Sequence, residues 1–300
     1  MTGKSTAAAE NRRGILWMVA AMVGFALEDA FIKLAAGALP LGPVVAVFGL
    51  GGFVIFAALT RARGLPLFPP EARSRPIVLR AVFEVIGRAG YFLGITLTPL
   101  SNASAILQAS PLFVTLGAAL FFGERVGWRR WTAIGVGFAG VLIVLRPGLE
   151  GFTPASIFTL IGTIGFAARD LGTRAAPRAL SNLQLATYGF AVLIPTGLAM
   201  SPFTGPMGLP TPQAAAFLGT AILAGVAGYY SITAAMRLGE VGVVTPFRYT
   251  RLLFATGLGM AIFGERPDAM TLLGGAIIVA SGLYTILRSA RAATHPGGAR

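Results

Sequence analysis

A chain of 300 residues with 55% hydrophobic and 12% charged side chains is excluded from the ordinary soluble domains, where charged residues run near a quarter. The net charge of +13 raises nucleic acid as a partner, but the cations segregate to one side of the predicted spans, so no nucleic-acid partner is expected. With no cysteine, disulfides, thiol catalysis and Cys-based metal sites are excluded; the single histidine (His295) lies in a polar tail, and no cofactor or metal is expected.

Apolar runs long enough to cross a ~30 Å hydrocarbon layer at 1.5 Å per residue recur ten times. They cover residues 14–36, 41–60, 76–97, 100–122, 128–145, 154–176, 182–200, 213–236, 241–263 and 268–287. No segment alternates with a period of two, which argues against a β-barrel. The expected fold is an all-α membrane protein with ten transmembrane helices, flanked by tails at 1–13 and 289–300. Placing the N-terminus in the cytoplasm puts sixteen Lys and Arg residues on that side and two, Arg146 and Arg266, on the other. The positive-inside rule then makes both termini cytoplasmic, in a multi-pass protein of the inner (plasma) membrane.

The first run carries Trp17, a candidate wall for an apolar group, and the stretch "GFALEDAFIK" (24–33). Basic residues before it and "LAAGA" at its end mimic a cleavable signal peptide. Retention is expected instead, because the stretch has a partner 141 residues later, "GFAARDLGTR" (165–174). The same offset carries "FFGER" (121–125) onto "IFGER" (262–266). The chain is therefore read as two copies of a five-helix unit, 14–146 and 155–288. Five crossings per copy make the second enter from the opposite side, so the repeats are inverted, an arrangement found in secondary transporters. Asp29–Lys33 and Asp170–Arg174 are i,i+4 pairs with the acid first, the favourable order. Three readings fit them: each latches a gate on its own side, each neutralises itself and snorkels to the interface, or the aspartate carries a proton.

In the third run, Arg80, Glu84, Arg88 and Tyr91 share one helical stripe. Glu84 and Arg88 lie within about 4 Å of the bilayer midplane. Either they form an intrahelical pair, or Arg88 binds a substrate carboxylate through its fork while Glu84 accepts an ammonium. Glu84 is also the acid through which proton coupling would run. Ser110-Pro111 interrupts the fourth run, with Gln108 one turn before it, and Thr245-Pro246 interrupts the ninth. Pro111 and Pro246 are hinge candidates. Trp128 and Trp131 in the fifth run suit an interfacial belt. Tyr229 and Tyr230 in the eighth are further wall candidates, with Phe83 and Phe92 of the third. Arg248 and Arg251 in the ninth have no acid on their own helix; they need another helix, water or a substrate anion, with Glu84 the chief protein alternative.

Paired five-helix halves, an "FGE" turn after the fourth helix of each, and "SNASAILQASPLFVTLGAALFFGERV" (101–126) resemble the EamA-type exporters of the drug/metabolite transporter superfamily. Among its ten-helix members the chain resembles the bacterial aromatic amino acid exporters. The resemblance implies export by alternating access, with the first, third, fourth, sixth, eighth and ninth helices around a central cavity. The combined reading is a secondary transporter, working as a monomer in the lipid bilayer and exporting aromatic and other apolar amino acids with broad selectivity. Its alternatives are export of another small metabolite or a cationic drug and, from a different class, a membrane-embedded enzyme. The absence of a nucleophile–base cluster argues against the enzyme.

Overall fold

The computed structural model describes residues 2–122, 127–146, 153–206, 208–238 and 244–294, and every regular element among them is helical. The helices are α1 (Thr2–Ala38), α2 (Leu41–Ala62), α3 (Arg75–Leu97), α4 (Leu100–Leu107), α5 (Ser110–Phe122) and α6 (Trp128–Leu145). Then come α7 (Ser156–Arg174), α8 (Asn182–Ala191), α9 (Leu193–Thr204), α10 (Pro212–Leu238), α11 (Thr250–Phe263) and α12 (Ala269–Thr294). A short 3-10 segment, Thr245–Tyr249, leads into α11.

Among the described residues five stretches are long and apolar enough to cross a membrane: Glu10–Ala38, Leu41–Ala62, Leu100–Phe121, Asn182–Thr204 and Pro212–Ala235. The other expected spans fall on α3 and α7, which carry several charges, on the short α11, and on α6 and α12, whose apolar stretches (Trp131–Leu145 and Ala269–Thr285) are shorter. Local chemistry sets several helix starts. Pro40 and Pro99 sit immediately before α2 and α4, and Ser181 with Gln184 forms a reciprocal capping box at the start of α8.

The fourth predicted span is broken in two. Between α4 and α5 the backbone tightens, Gln108 N–H bonding to Ala105 O at 3.2 Å and Ala109 N–H to Ile106 O at 3.0 Å. Pro111 has no N–H to continue the ladder past that turn. The corresponding change of pitch lies between Tyr249 and Thr250, where the 3-10 segment containing Pro246 passes into α11. Gln108 and Tyr249 are separated by the repeat offset of 141.

Tertiary packing obeys the same offset. α1 runs along α10 and α3 along α7; α6 pairs with α12, α2 with α8 and α9, and α4 with α11. Exchanging the halves maps this set of neighbours onto itself. The match extends to single residues. A Cβ built on Gly24 would sit 2.9 Å from Gly228 Cα, and one built on Gly165 would sit 2.8 Å from Gly87 Cα. These two contacts interchange under the offset. Both need glycine, since any side chain would strike backbone that cannot turn aside. In hydrocarbon, where lipid is as apolar as leucine, such close approach is a main source of helix attraction. The first "FGER" (Gly123, Glu124, Arg125) lies outside the described residues; the second is described, and Gly264 (φ +62°) makes the left-handed turn after α11 that presents Glu265.

Candidate functional site

The α1/α10 and α3/α7 pairs enclose a buried cluster of ionic side chains. From α1 come Glu28 and Asp29, from α3 Arg80, Glu84, Arg88 and Tyr91, from α7 Arg169 and Asp170, and from α11 Arg251. The stripe expected on α3 does face inward, and all four of its residues are buried. Glu84 lies at its centre, 3.3 Å from Arg88 Nε, 3.2 Å from Arg169 Nη1 and 3.8 Å from Arg80 Nη2. Arg80 is further held by donating from Nε to Thr173 Oγ1 at 2.9 Å. Arg88 also donates from Nη1 to Glu28 Oε1.

A second pair stands beside the first. Arg251 donates to Asp29 Oδ2 from Nη2 at 2.6 Å and from Nε at 3.2 Å, and the Tyr91 hydroxyl donates to the same oxygen at 3.0 Å. Aromatic rings complete the surroundings. The Arg88 guanidinium lies 5.5–5.7 Å from the ring centres of Phe48, Phe92 and Phe166, and that of Arg251 lies 5.2 Å from Phe25 and 5.6 Å from Tyr91. Phe25 and Phe166 occupy equivalent repeat positions. Buried ions of this kind are tolerated only when paired, and removing one partner is far costlier than forming the pair is favourable.

Several sequence expectations are corrected by this geometry. Asp29 and Lys33 are not partners: Asp29 turns inward to Arg251, while Lys33 reaches Glu265 Oε1 at 3.2 Å and Thr98 O at 2.7 Å. Burial makes the stronger, bidentate arginine the better counter-ion for the aspartate. The acid meeting Arg251 is Asp29 rather than Glu84, because three arginines already surround Glu84. Each oxygen of Glu84 already holds an arginine in this arrangement, and Glu84 is not the sole buried acid at this level. Trp17 is 38% exposed and lies edge-on to Tyr230, away from the cluster.

Other candidates are distributed around the site. Gln108 donates to Arg248 O at 3.5 Å, joining the two interrupted elements. Asp170 pairs with Arg169 at 2.9 Å, and the side chain of Arg174 lies outside the described residues. Tyr229 and Tyr230 line a cavity of about 360 Å³ with Phe56, Arg63 and Asn182, at the end of the bundle where α2 finishes. At the other end of α2, Glu265 closes a knot. Leu100 N–H (2.5 Å), Ser101 N–H (3.0 Å) and Ser101 Oγ (2.8 Å) donate to it, capping α4, and Lys33 adds its charge. Burial pushes the Glu265 carboxyl up, but the Ser101 and Leu100 amides, the Ser101 hydroxyl and Lys33 outweigh it and hold the group below the usual carboxylate range.

Glu28, Arg169 and Glu265 were not among the candidates read from sequence. A signal existed for two of them. Glu28 precedes Asp29 in an apolar run, and the repeat offset places Arg169 on the position of Glu28. Glu84 correspondingly falls on Gly225. The Glu84–Arg169 ion pair and the close approach of Glu28 to Gly225 are thus one contact in two copies, charged in one and not in the other. Among the described residues no group of three or more His, Cys, Asp or Glu side chains is placed to hold a metal ion.

The EamA-like transporter family matches residues 12–146 and 153–287. A riboflavin transporter of Rhizobium johnstonii is 29% identical over 288 residues, 94% of each chain. An S-adenosylmethionine uptake transporter of Rickettsia felis is 28% identical over 222 residues, 73% of this chain and 74% of that one. A pseudopaline exporter of Pseudomonas aeruginosa is 29% identical over 277 residues, 89% of this chain and 94% of that one. A crystal structure with 20% identity superposes with a TM-score of 0.60 over 91% of this chain and 97% of the other, a likeness of fold.

Proposed function

The chain belongs to the EamA-like transporter family, and on that premise we propose that it is a secondary transporter of small metabolites bearing an amino-acid-like carboxylate, working by alternating access between two inverted five-helix halves. The observation that carries this reading is the placing of Arg88 and Arg251, each against a buried carboxylate and over aromatic rings, where the halves meet. A substrate carboxylate would take over the guanidinium forks from Glu28 or Asp29, and an apolar substrate body would lie on Phe48, Phe92 and Phe166. Amino acids, the class expected from the sequence, fit this description. So does S-adenosylmethionine, the cargo of one relative, which carries an amino-acid end. Export remains the proposed direction, although relatives are named for both uptake and export, so the assay reads both.

The residue-by-residue exchange of neighbours between the halves supports the inverted arrangement, and the distribution of Lys and Arg supports cytoplasmic termini in an inner-membrane protein. The pitch changes at Gln108 and Tyr249 support hinges at Pro111 and Pro246. A second reading, a flat uncharged aromatic substrate, is favoured by the rings around Arg88 and by the likeness to a riboflavin transporter.

The test is transport by purified protein in liposomes, measured in each direction with labelled phenylalanine, tyrosine, S-adenosylmethionine and riboflavin. Carboxylate-bearing probes should move, and Arg88→Ala and Arg251→Ala should each lower their rate at least tenfold with monodisperse protein retained. Transport of riboflavin alone would favour the second reading. Transport unaffected by both substitutions would remove the arginines from the site.

A further inference from the structure

The three fully buried acids are not held alike. Glu84 gives one oxygen to Arg88 and the other to Arg169, with Arg80 close behind. Asp29 concentrates two donors of Arg251 and the Tyr91 hydroxyl on Oδ2, its Oδ1 having no hydrogen bond, so it differs from Glu28 in holding three donors against one. Glu28 has one partner, Arg88, which it shares with Glu84, and its Oε2 is buried with no hydrogen bond. That oxygen faces the bare backbone of Gly225. A Cβ built there would lie 2.9 Å from Oε2 and 3.0 Å from Phe48 Cζ, so not even a methyl group fits beside the oxygen, and what can be added to it there is a proton. Glu28 is therefore the acid whose neutralisation disturbs the cluster least.

Charge balance supplies the rest. Arg80, Arg88, Arg169 and Arg251 stand against Glu28, Asp29, Glu84 and Asp170, four charges of each sign. The cluster is neutral, and an anion added to it would be an uncompensated charge in a medium of low dielectric constant. The charged groups around Glu28 are Asp29 on its own helix, Arg88 with Glu84 behind it from α3, Arg251 from α11, and Arg169 from α7 by way of Glu84. Gly225 of α10 and Phe48 of α2 face it without charge.

We propose that Glu28 is a proton-binding site: a substrate anion replaces its carboxylate on Arg88, and one proton from the aqueous phase adds to Oε2, keeping the buried charge balanced. A substrate of net charge −1 thereby moves with one proton, and a zwitterion, whose own ammonium supplies the compensation, moves without one. The substrate half of this inference rests on Arg88 as the carboxylate anchor; the protonation of Glu28 does not.

Infrared difference spectra of the full-length protein in lipid nanodiscs, taken between neutral and acid pH, test the protonation directly. A buried carboxylic-acid carbonyl band is expected to shift on ¹³C-carboxyl glutamate labelling, to vanish in Glu28→Gln, and to persist in Glu84→Gln and Asp29→Asn. The labelling arm needs no substitution and so survives a variant that fails to fold. A band that ignores the label, or persists in Glu28→Gln, overturns the proposal. In liposomes, glutamate (net −1) should carry one proton and phenylalanine none, and glutamate uptake should rise about tenfold per unit fall in pH until Glu28 is protonated. In Glu28→Gln whatever glutamate flux remains should have lost that slope, and a slope of the same steepness in the variant would overturn the proposal. Equal proton movement with both amino acids would overturn the coupling. Failure of both amino acids to move would count against the Arg88 anchor and leave the spectra to decide Glu28.

Discussion

Removing Arg251 should expose how strongly the buried charges depend on their partners. Asp29 is fully buried, and of its three hydrogen bonds Arg251 donates two, at 2.6 and 3.2 Å, leaving only the Tyr91 hydroxyl at 3.0 Å. Arg251→Ala strands a carboxylate with one neutral donor, at an expected cost of about 3–5 kcal/mol. Asp29→Asn should cost less, about 1–3 kcal/mol, because the arginine side chain is 17% exposed and keeps its stacking on Phe25 and Tyr91. In the double variant the stranded charge is gone, and the remaining loss is mainly the space vacated by the arginine. The double variant should then be more stable than Arg251→Ala alone, with a coupling of about 2 kcal/mol or more. Reversible unfolding of the four proteins in mixed micelles measures this. Additivity of the two single costs within about 0.5 kcal/mol would refute the pairing, and with it the assignment of Asp29 to Arg251 over Lys33.

Gly165→Ala should cost about 1–3 kcal/mol and Gly24→Ala somewhat less, since the new methyl group would lie 2.5 Å from Gly87 N in the first case and 2.9 Å from Gly228 Cα in the second; thermal unfolding of the two variants checks the order. Glu265→Gln should lose about 1.5–3 kcal/mol by weakening two backbone caps and the Lys33 pair, and cysteine accessibility at introduced sites near Thr98 should rise. Because its folded pKa lies below the ordinary carboxylate value, the Glu265 contribution is present above that value and lost as pH falls through the folded one; the variant should flatten the acid limb of a stability–pH curve. Asp268 behaves in the same sense. A hydrogen bond from Arg146, with two from Thr271, lowers it from 3.8 to about 2, so its small contribution should fade between those values and be reduced in Arg146→Ala, read from the same acid titration.

The helices and the repeat were legible because they follow from one-dimensional properties. Run length against bilayer thickness sets the spans, and the shared offset of "GFA" and "FGER" announces the two-copy architecture. The packing of Gly24 on Gly228 and Gly87 on Gly165 is that offset expressed in three dimensions. The inward stripe of Arg80, Glu84, Arg88 and Tyr91 was equally legible, because a helix repeats every 3.6 residues wherever it sits. The pitch changes beside Pro111 and Pro246 follow from the missing N–H of proline.

Partnership among the charges was a different kind of question. Spacing along α1 allowed Asp29–Lys33 as well as any other pairing, and only the approach of α11 showed that Arg251 takes the aspartate while Lys33 turns to Glu265, 232 residues away in sequence. The role of Glu28 beside Asp29 is set in the same way, since it depends on Arg88 from α3 and on the bare backbone of Gly225 from α10. Hydrophobic patterning is additive along the chain and can be read residue by residue. The pairing of buried ions is decided by distances of 3–4 Å between segments remote in sequence, where the Coulomb energy is steep and a neighbouring helix determines which partner is near enough.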